Sequence, residues 1–359
     1  MRKLVSRKSS VVSLFRVLWM ILLLLQLQFC LSITTATCIQ KEREALLQFK
    51  NNFYYDPSHR LASWNNGTDC CNWKGVGCNQ ITGHVTIIDL RSDDYQVDSY
   101  NSSWPLYSNN SIDSSLLELK YLNYLDLSGN HFNFTQIPSF LGSMVELTYL
   151  NLSNTIISGK VPPHLGNLTK LKAFDLSFNY QLQSNNGDVE WISHLSSLQF
   201  LGLTDMDFSK SLNLMQVLSS LIKLSSLILL NCSLQNIHFS LSSSNYSSFL
   251  SKSCFNNEYD LQVLTLRGTS MRTKIPDWLG KLKNMKSLNL GYSKIYGPIP
   301  ASLGNLSSLE YLYLSGNALT GAIPTSFGRL LNLRKLYLSN NRLEGVTTNV
   351  LSNLEIWSC

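Results

Sequence analysis

The sequence predicts a right-handed solenoid of α/β repeats, with a curved parallel sheet on its concave face and a disulfide-bonded N-terminal cap. Three observations support this prediction. Leu261, Met285, Leu309 and Leu333 start units that recur every 24 residues. A cysteine-rich segment precedes the repeats, and a hydrophobic content of 44% with 14% charged residues excludes disorder. Units of this length bury their apolar faces only by stacking on one another.

The best-defined unit is Leu309–Asn332, LEYLYLSGNALTGAIPTSFGRLLN, which follows the leucine-rich-repeat form LxxLxLxxNxLxGxIPxxLGxL. Ten units align on their first apolar residue: Val85, Leu122, Leu147, Leu171, Leu198, Leu224, Leu261, Met285, Leu309 and Leu333. Positions one, four and six are apolar and point inward from a short strand, so the side chains between them point outward on the concave face. At position nine, Asn130, Asn179, Asn317 and Asn341 can satisfy backbone groups where the chain turns.

The chain divides into three predicted regions. Residues 1–36 resemble a secretory signal peptide, because a basic stretch precedes the apolar run Val17–Leu25 and a cleavable TTAT exit. A retained signal anchor is the alternative, but the run is short for a span of about 20 residues. Residues 37–84 form the cap. Residues 85–359 hold about ten repeats, with insertions near 93–115, 183–194 and 236–260 and an incomplete last repeat.

Charge gives little information about partners. The five basic residues in the signal segment leave 24 Lys and Arg against 23 Asp and Glu in the mature chain. The sequence therefore indicates no nucleic-acid partner.

The cap cysteines Cys38, Cys70, Cys71 and Cys78 favour disulfides, because the chain is secreted. A bond between the adjacent Cys70 and Cys71 would be strained. We predict Cys38–Cys70 and Cys71–Cys78. A zinc site is the rival interpretation, but paired CxxC motifs and nearby histidines are lacking. Cys232 occupies an asparagine position as a buried thiol or as a partner of Cys254, and Cys359 has no evident partner.

The cap segments CIQKEREALLQFK, LASW, DCCNWKGVGC and TGHVTIIDL, followed by GxIP repeats, resemble the ectodomains of plant leucine-rich-repeat receptor-like proteins. The similarity is to the type that recognises fungal ethylene-inducing xylanase. The resemblance implies plant defence or signalling, a glycosylated ectodomain outside the plasma membrane, one membrane span, a protein or peptide ligand and a co-receptor kinase. This chain ends at NLEIWSC without a span, so we expect a truncated ectodomain or a short secreted relative.

No catalytic group, metal site or cofactor is predicted. The six histidines are scattered, and the glycines of GVGC lie in the cap rather than between a strand and a helix. The paired carboxylates Asp93 and Asp94 have no feature that would separate their pKa values. We therefore expect a binding protein and not an enzyme.

The sequence contains many glycosylation sequons. Their asparagines are Asn66, Asn101, Asn109, Asn133, Asn151, Asn167, Asn231, Asn245 and Asn305. Asn167 and Asn305 are expected on the convex side, where a glycan leaves the concave face free. Asn151 and Asn231 lie on or beside strands, so their modification is less favoured.

The outward strand positions change in character along the chain. The predicted ligand-binding residues are Arg267, Tyr292, Tyr311, Tyr313, Arg334, Lys335 and Tyr337. Aromatic side chains exposed among polar ones are typical binding anchors. An earlier acidic group, Asp89, Asp126 and Asp175, is the alternative surface. The alternative function is a soluble inhibitor of a pathogen cell-wall-degrading enzyme, similar to polygalacturonase inhibitors.

Overall fold

A computed structural model describes residues 36–92, 105–184, 187–235 and 260–344, and the backbone of Glu355–Trp357. The predicted signal peptide up to residue 35 and most of the first and third insertions lie outside the described residues. So do Asn101, Asn245, Cys254 and Cys359.

The repeats form one long sheet, as predicted. The cap contributes helix α1 (Gln40–Lys50) and strands β1 (Phe53–Tyr55) and β2 (Val76–Cys78). The strands that follow in chain order are β3 (Val85–Asp89), β4 (Tyr107–Ser108), β5 (Tyr124–Asp126), β6 (Tyr149–Asn151), β7 (Ser158–Lys160), β8 (Ala173–Asp175), β9 (Gln181–Gln183), β10 (Phe200–Thr204), β11 (Ser226–Leu230), β12 (Val263–Thr265), β13 (Ser287–Asn289), β14 (Tyr296–Pro298), β15 (Tyr311–Tyr313), β16 (Ala318–Gly321), β17 (Lys335–Tyr337), β18 (Arg342–Leu343) and β19 (Glu355–Trp357).

Within the described residues, twelve strands make the main sheet, in the order β19-β17-β15-β13-β12-β11-β10-β8-β6-β5-β3-β2. Only β2 pairs antiparallel, with β3, and it closes the sheet at the cap. The parallel register joins equal repeat positions, for example Leu288 with Leu312 and Leu312 with Leu336. These leucines are fully buried. Apolar position four therefore forms a continuous inner row, and the flanking positions three and five face outward.

The rest of each repeat crosses to the convex side and returns. Short helices follow the proline of the GxIP segments, as at Pro163–Asn167, Ala301–Asn305 and Thr325–Arg329. α-Helical turns occur at α2 (Glu190–Ser193) and α3 (Leu214–Ser220), so the expected insertion at 183–194 is partly helical. The GxIP segments also form small flanking sheets, β7–β9 and β14–β16–β18.

The cap covers the apolar start of the stack. Leu46 and Phe49 of α1 are fully buried, and Phe53 follows the helix in β1. The Phe53 ring contacts Phe49, with centroids 5.3 Å apart. Trp64 and Trp73 are buried and stack with centroids 5.4 Å apart.

The predicted disulfides Cys38–Cys70 and Cys71–Cys78 are both present. Asp69 and three of these cysteines have potential ligand atoms within 4.8 Å of one another. The sulfurs are already bonded in pairs, so they cannot act as thiolate ligands for zinc. Cys232 is a free and buried thiol.

The asparagine positions work as predicted. The amide nitrogen of Asn317 donates to the carbonyls of Leu290 and Leu314, both at 2.9 Å. Its amide oxygen accepts from the backbone N–H groups of Ser293 and Ile295, both at 3.0 Å. One side chain thus satisfies four backbone groups in two successive repeats, which ties each repeat to the one before it.

Strand β19 extends the sheet beyond the ten aligned repeats. It pairs in parallel with β17, and Glu355 lies opposite Lys335. The interval is 20 residues instead of 24, and Asn353 and Ser358 stand at positions one and six. The leucine pattern misses this strand because only Ile356 keeps an apolar position.

Candidate ligand-binding face

The predicted aromatic residues come together on the two strands β15 and β17. Tyr313 lies directly opposite Tyr337 in the parallel register, and their rings stack with centroids 4.7 Å apart. Tyr311 lies opposite Lys335 in the same pair of strands. All four side chains are half-buried. This arrangement offers the edges of two stacked phenols and a neighbouring ammonium group to a ligand.

Arg267 and Tyr292 lie at the carboxyl ends of β12 and β13. The guanidinium carbon of Arg267 is 5.4 Å from the centroid of the Tyr292 ring, a cation–π contact. Tyr292 is 52% exposed. Its ring lies over Gly316 in the next repeat, where an added Cβ would be 2.4 Å from Tyr292 Cδ1. Since Gly316 follows β15, the Arg267–Tyr292 pair adjoins the tyrosine strands.

Arg334 differs from the other predicted cations because it has an acidic partner. Its Nε lies 3.3 Å from a carboxylate oxygen of Glu310. Both residues occupy position two of adjacent repeats, just before β15 and β17. We name the set Arg267, Tyr292, Tyr311, Tyr313, Arg334, Lys335 and Tyr337 the aromatic–basic patch. The structure brings all seven onto four consecutive repeats.

The acidic end of the sheet is already occupied by its own hydrogen bonds. Tyr124 and Tyr149 stack at 4.1 Å, and the Tyr149 hydroxyl donates to Asp126 at 3.1 Å. Asp126 is only 1% exposed, so it does not stand open on the concave face as the alternation suggested. Arg91 binds Asp89 through two guanidinium nitrogens and also reaches the Tyr124 hydroxyl at 3.3 Å.

The charged side chains of this network are engaged in hydrogen bonds with one another and with the two tyrosines. Burial raises the pKa of the Tyr149 hydroxyl, and the Asp126 carboxylate raises it further. The phenol therefore stays protonated as a donor. The sequence could place these residues in one row, but it could not show that two stacked rings would cover one carboxylate.

Asp175 continues the row beyond Asp126. Burial raises the pKa of this carboxyl group, although the Ser177 backbone N–H donates to it at 2.9 Å. Gly202 is the next residue in register, and a Cβ there would lie 2.4 Å from Asp175 Oδ1. The bare glycine leaves room for the carboxylate above the strand.

The sequons differ in accessibility. Asn167 and Asn305 are exposed at the ends of short convex helices. Asn66, Asn109, Asn133 and Asn231 are also exposed. Asn151 is half-buried in β6, and its amide nitrogen donates to both Asp126 and Tyr149 at 3.3 Å. A glycan on Asn151 would compete with these hydrogen bonds, and its use as a glycosylation site stays a prediction.

Family models support the fold. The model described as "Leucine rich repeat N-terminal domain" matches residues 39–79. Models described as "Leucine rich repeat" match residues 121–144, 146–168, 290–343 and 307–355. The matched segments include the Cys71–Cys78 disulfide, Cys70 of the other cap disulfide, and the strands that carry most of the aromatic–basic patch.

The chain's curated relatives are plant receptor-like proteins. It is 40% identical over 219 residues to "Receptor-like protein EIX1" of Solanum lycopersicum, which covers 60% of this chain and 21% of that protein. It is 44% identical over 151 residues to "Receptor-like protein EIX2" of the same organism, covering 41% and 14%. The chain thus matches about a fifth or less of the length of these relatives.

Solved structures show the same fold. The leucine-rich-repeat ectodomain of the Arabidopsis thaliana membrane receptor kinase GASSHO1/SCHENGEN3, in complex with CASPARIAN STRIP INTEGRITY FACTOR 2, is 26% identical. It superposes with a TM-score of 0.63 over 88% of this chain and 34% of that chain. The Arabidopsis receptor kinase HAESA, in complex with the peptide hormone IDA and the co-receptor SERK1, is 24% identical. Its TM-score is 0.69 over 89% and 50% of the two chains.

Among the residues that the structure describes, no helix is both long enough and apolar enough to cross a bilayer.

Proposed function

We propose that this chain is a non-catalytic extracellular recognition module of the receptor-like-protein type, which binds a protein or peptide on its concave strand face. The observation that carries the proposal is the aromatic–basic patch. Four of its residues, Tyr311, Tyr313, Lys335 and Tyr337, lie in register on the adjacent parallel strands β15 and β17, so their spacing is set by the sheet at about 4.8 Å per strand. A rigid row of tyrosines with cations beside it is suited to hold an extended polypeptide segment.

The known relatives and the solved structures support the type of protein that we propose. The relatives EIX1 and EIX2 are receptor-like proteins, and GASSHO1/SCHENGEN3 is a receptor kinase whose ectodomain was solved with a bound factor. By the same resemblance we infer a plasma-membrane receptor in which a partner receptor kinase carries the signal inward. Ligand contact at this patch is our own inference.

The test uses the full secreted chain and a random dodecapeptide display library as the probe. Synthetic peptides enriched on the wild type should bind at least about tenfold more weakly to the double variant Tyr313→Ala, Tyr337→Ala. Loss of two central aromatic anchors has effects of this size or larger. Neither side chain lies in the buried core, so secretion and thermal stability should persist.

A matched control removes two tyrosines elsewhere. Tyr54 and Tyr180 are 64% and 69% exposed and lie outside the strand face, so Tyr54→Ala, Tyr180→Ala should leave peptide affinity unchanged. Equal affinity of a folded Tyr313→Ala, Tyr337→Ala variant and the wild type would exclude the patch. Attention would then move to the surface around Asp89, Asp126 and Asp175.

A further inference from the structure

Charge is distributed unevenly along the solenoid. Residues 260–344 contain eleven Lys and Arg and four Asp and Glu, a net charge of +7. Residues 37–235 contain twelve and seventeen, a net charge of −5. The repeats that carry the aromatic–basic patch are therefore the basic end of a polar molecule. Such a field concentrates anionic ligands there and accelerates their association.

The charged side chains that face outward on these strands are mostly basic. Lys286, Arg267, Arg334 and Lys335 lie on β12, β13 and β17 or directly beside them. Glu310 is the single acidic residue on β12–β17 and their flanking residues, and it pairs with Arg334. No ion pair joins Arg267, Lys286 or Lys335 to an acidic side chain among the residues that the structure describes. These three cations are the candidates for binding an anionic ligand, and the backbone of Glu355 lies opposite Lys335 in the neighbouring strand β19.

Arg267 is held in a layered arrangement suited to carboxylate binding. Its guanidinium group covers the Tyr292 ring, and that ring covers Gly316. The cation–π contact holds the guanidinium group beside the exposed ring, and a guanidinium group can bind both oxygens of a carboxylate.

Tyr292 takes this position at a conformational cost. Its φ is +57°, in the left-handed region that disfavours bulky residues. The same repeat position is left-handed in the other described repeats from Leu122 onward: Gly129, Asn154, Phe178, Asp205, Asn231, Gly268, Gly316 and Asn340. The left-handed conformation is therefore a property of the repeat, and at Tyr292 it places an exposed aromatic ring beside Arg267.

We propose that the ligand segment held by the aromatic–basic patch is an acidic peptide, with one carboxylate on Arg267 and a second near Lys335. This proposal rests on the proposed function. Lys335 is in register with Val263 of β12, three strand steps away, which is about 14 Å at 4.8 Å per step. Arg267 follows Val263 by four residues, which adds about 13 Å along the strand direction, so a diagonal of about 20 Å separates the two cations. An extended peptide rises about 3.3 Å per residue and returns side chains to one face every second residue, so acidic residues six positions apart match this diagonal.

The display selection described above provides the test. Enriched peptides should carry Asp or Glu at positions i and i+6. Synthetic copies should lose at least about tenfold in affinity with Arg267→Ala and also with Tyr292→Asn. Asparagine is tolerated at a left-handed position, so the second variant should keep the fold and the charge of Arg267 while removing its platform.

Lys283→Ala is the matched control. Lys283 is exposed and lies outside the strand face, so its loss removes the same charge without changing the patch. Its effect on affinity should stay below about twofold. An equal loss with Lys283→Ala and Arg267→Ala would show that only overall charge matters and would overturn the carboxylate site.

The remaining outcomes separate the two proposals. Enriched peptides that depend on Tyr313 and Tyr337 but are neutral or basic would overturn the acidic-peptide inference and leave the proposed function intact. Acidic peptides whose binding does not depend on these tyrosines would overturn the proposed function. Polygalacturonate that binds in an Arg267-dependent way, with no peptide enriched, would replace the peptide by an anionic polysaccharide and overturn the inference.

Discussion

Buried polar residues in this solenoid differ in how completely their atoms are paired. Asn179 is 1% exposed, and its amide nitrogen donates to the carbonyls of Leu152 and Leu176 while its oxygen accepts from Thr155. Asp175 lies nearby and is half-buried, and it carries a charge that burial penalises. Asn179 stabilises the fold because its amide group is fully hydrogen-bonded. The Asp175 carboxylate is expected to reduce stability at neutral pH.

Replacing Asp175 by asparagine should therefore stabilise the protein at pH 7. Burial raises the pKa of the folded carboxyl group above its unfolded value, so the folded state binds the proton more tightly. The cost is fully present above the folded pKa and disappears below the unfolded value of about 3.9. The asparagine oxygen can still accept from Ser177.

Urea unfolding of both proteins across pH 7 to pH 4 provides the measurement. The free energy of unfolding of Asp175→Asn should exceed that of the wild type at pH 7, and the difference should shrink as pH falls. Other groups titrate equally in the two proteins and cancel. A variant less stable than wild type at pH 7 would show that the carboxylate is favourably paired.

At the scale of elements, two buried charged side chains join the cap to the first repeats. Glu42 of α1 lies 2.7 Å from His84 Nδ1 and accepts from the backbone N–H of Val85, also at 2.7 Å. Arg60 is 4% exposed and donates to the Asn130 side chain at 3.0 Å and to the carbonyls of Leu90 and Arg91. Arg60 thus links the cap to Asn130, the position-nine asparagine of a repeat.

Arg60→Ala should destabilise the cap by about 3 kcal/mol, because several buried hydrogen bonds from a charged group are lost at once. Guanidinium chloride unfolding measures the cost, and limited proteolysis should show earlier cleavage within residues 37–84. Arg329→Ala serves as the control, since Arg329 is exposed on a convex helix. A cost for Arg60→Ala as small as that of the control would mean that the disulfides alone hold the cap in place.

The sequence predicted the repeating elements well because their pattern is local. Leucines at positions one, four and six, together with proline in GxIP, determine the strand and the crossover within one unit. Glu42, Arg60 and Asp126 were not predicted as buried, because their partners come from other repeats or from the cap. Likewise, the repeat position of Tyr292 predicts that its side chain is exposed. Its contacts with Arg267 and Gly316 come from the two adjacent repeats and are visible only in the structure.

At the scale of the whole molecule, each strand of the described repeats pairs mainly with the equivalent strand of the adjacent repeat. The main sheet follows chain order, interrupted only by flank strands, and the small sheet β14–β16–β18 repeats that order. Stability in such a stack is approximately a sum of repeat and interface contributions. The cap and the aromatic–basic patch are separated by several interfaces, so the two ends should respond independently to local damage.

Matched leucine substitutions test this independence. Leu125 in β5 and Leu288 in β13 both occupy position four and are fully buried, so each change to alanine should cost about 2–5 kcal/mol. Because neighbouring repeats carry the contacts, Leu288→Ala should accelerate amide hydrogen exchange mainly between β12 and β17. Leu125→Ala should accelerate it mainly between the cap and β8. Hydrogen-exchange mass spectrometry resolves the two ends. If both variants accelerated exchange equally along the whole chain, the stack would unfold as one cooperative unit, and a lesion near the cap would then reach the aromatic–basic patch.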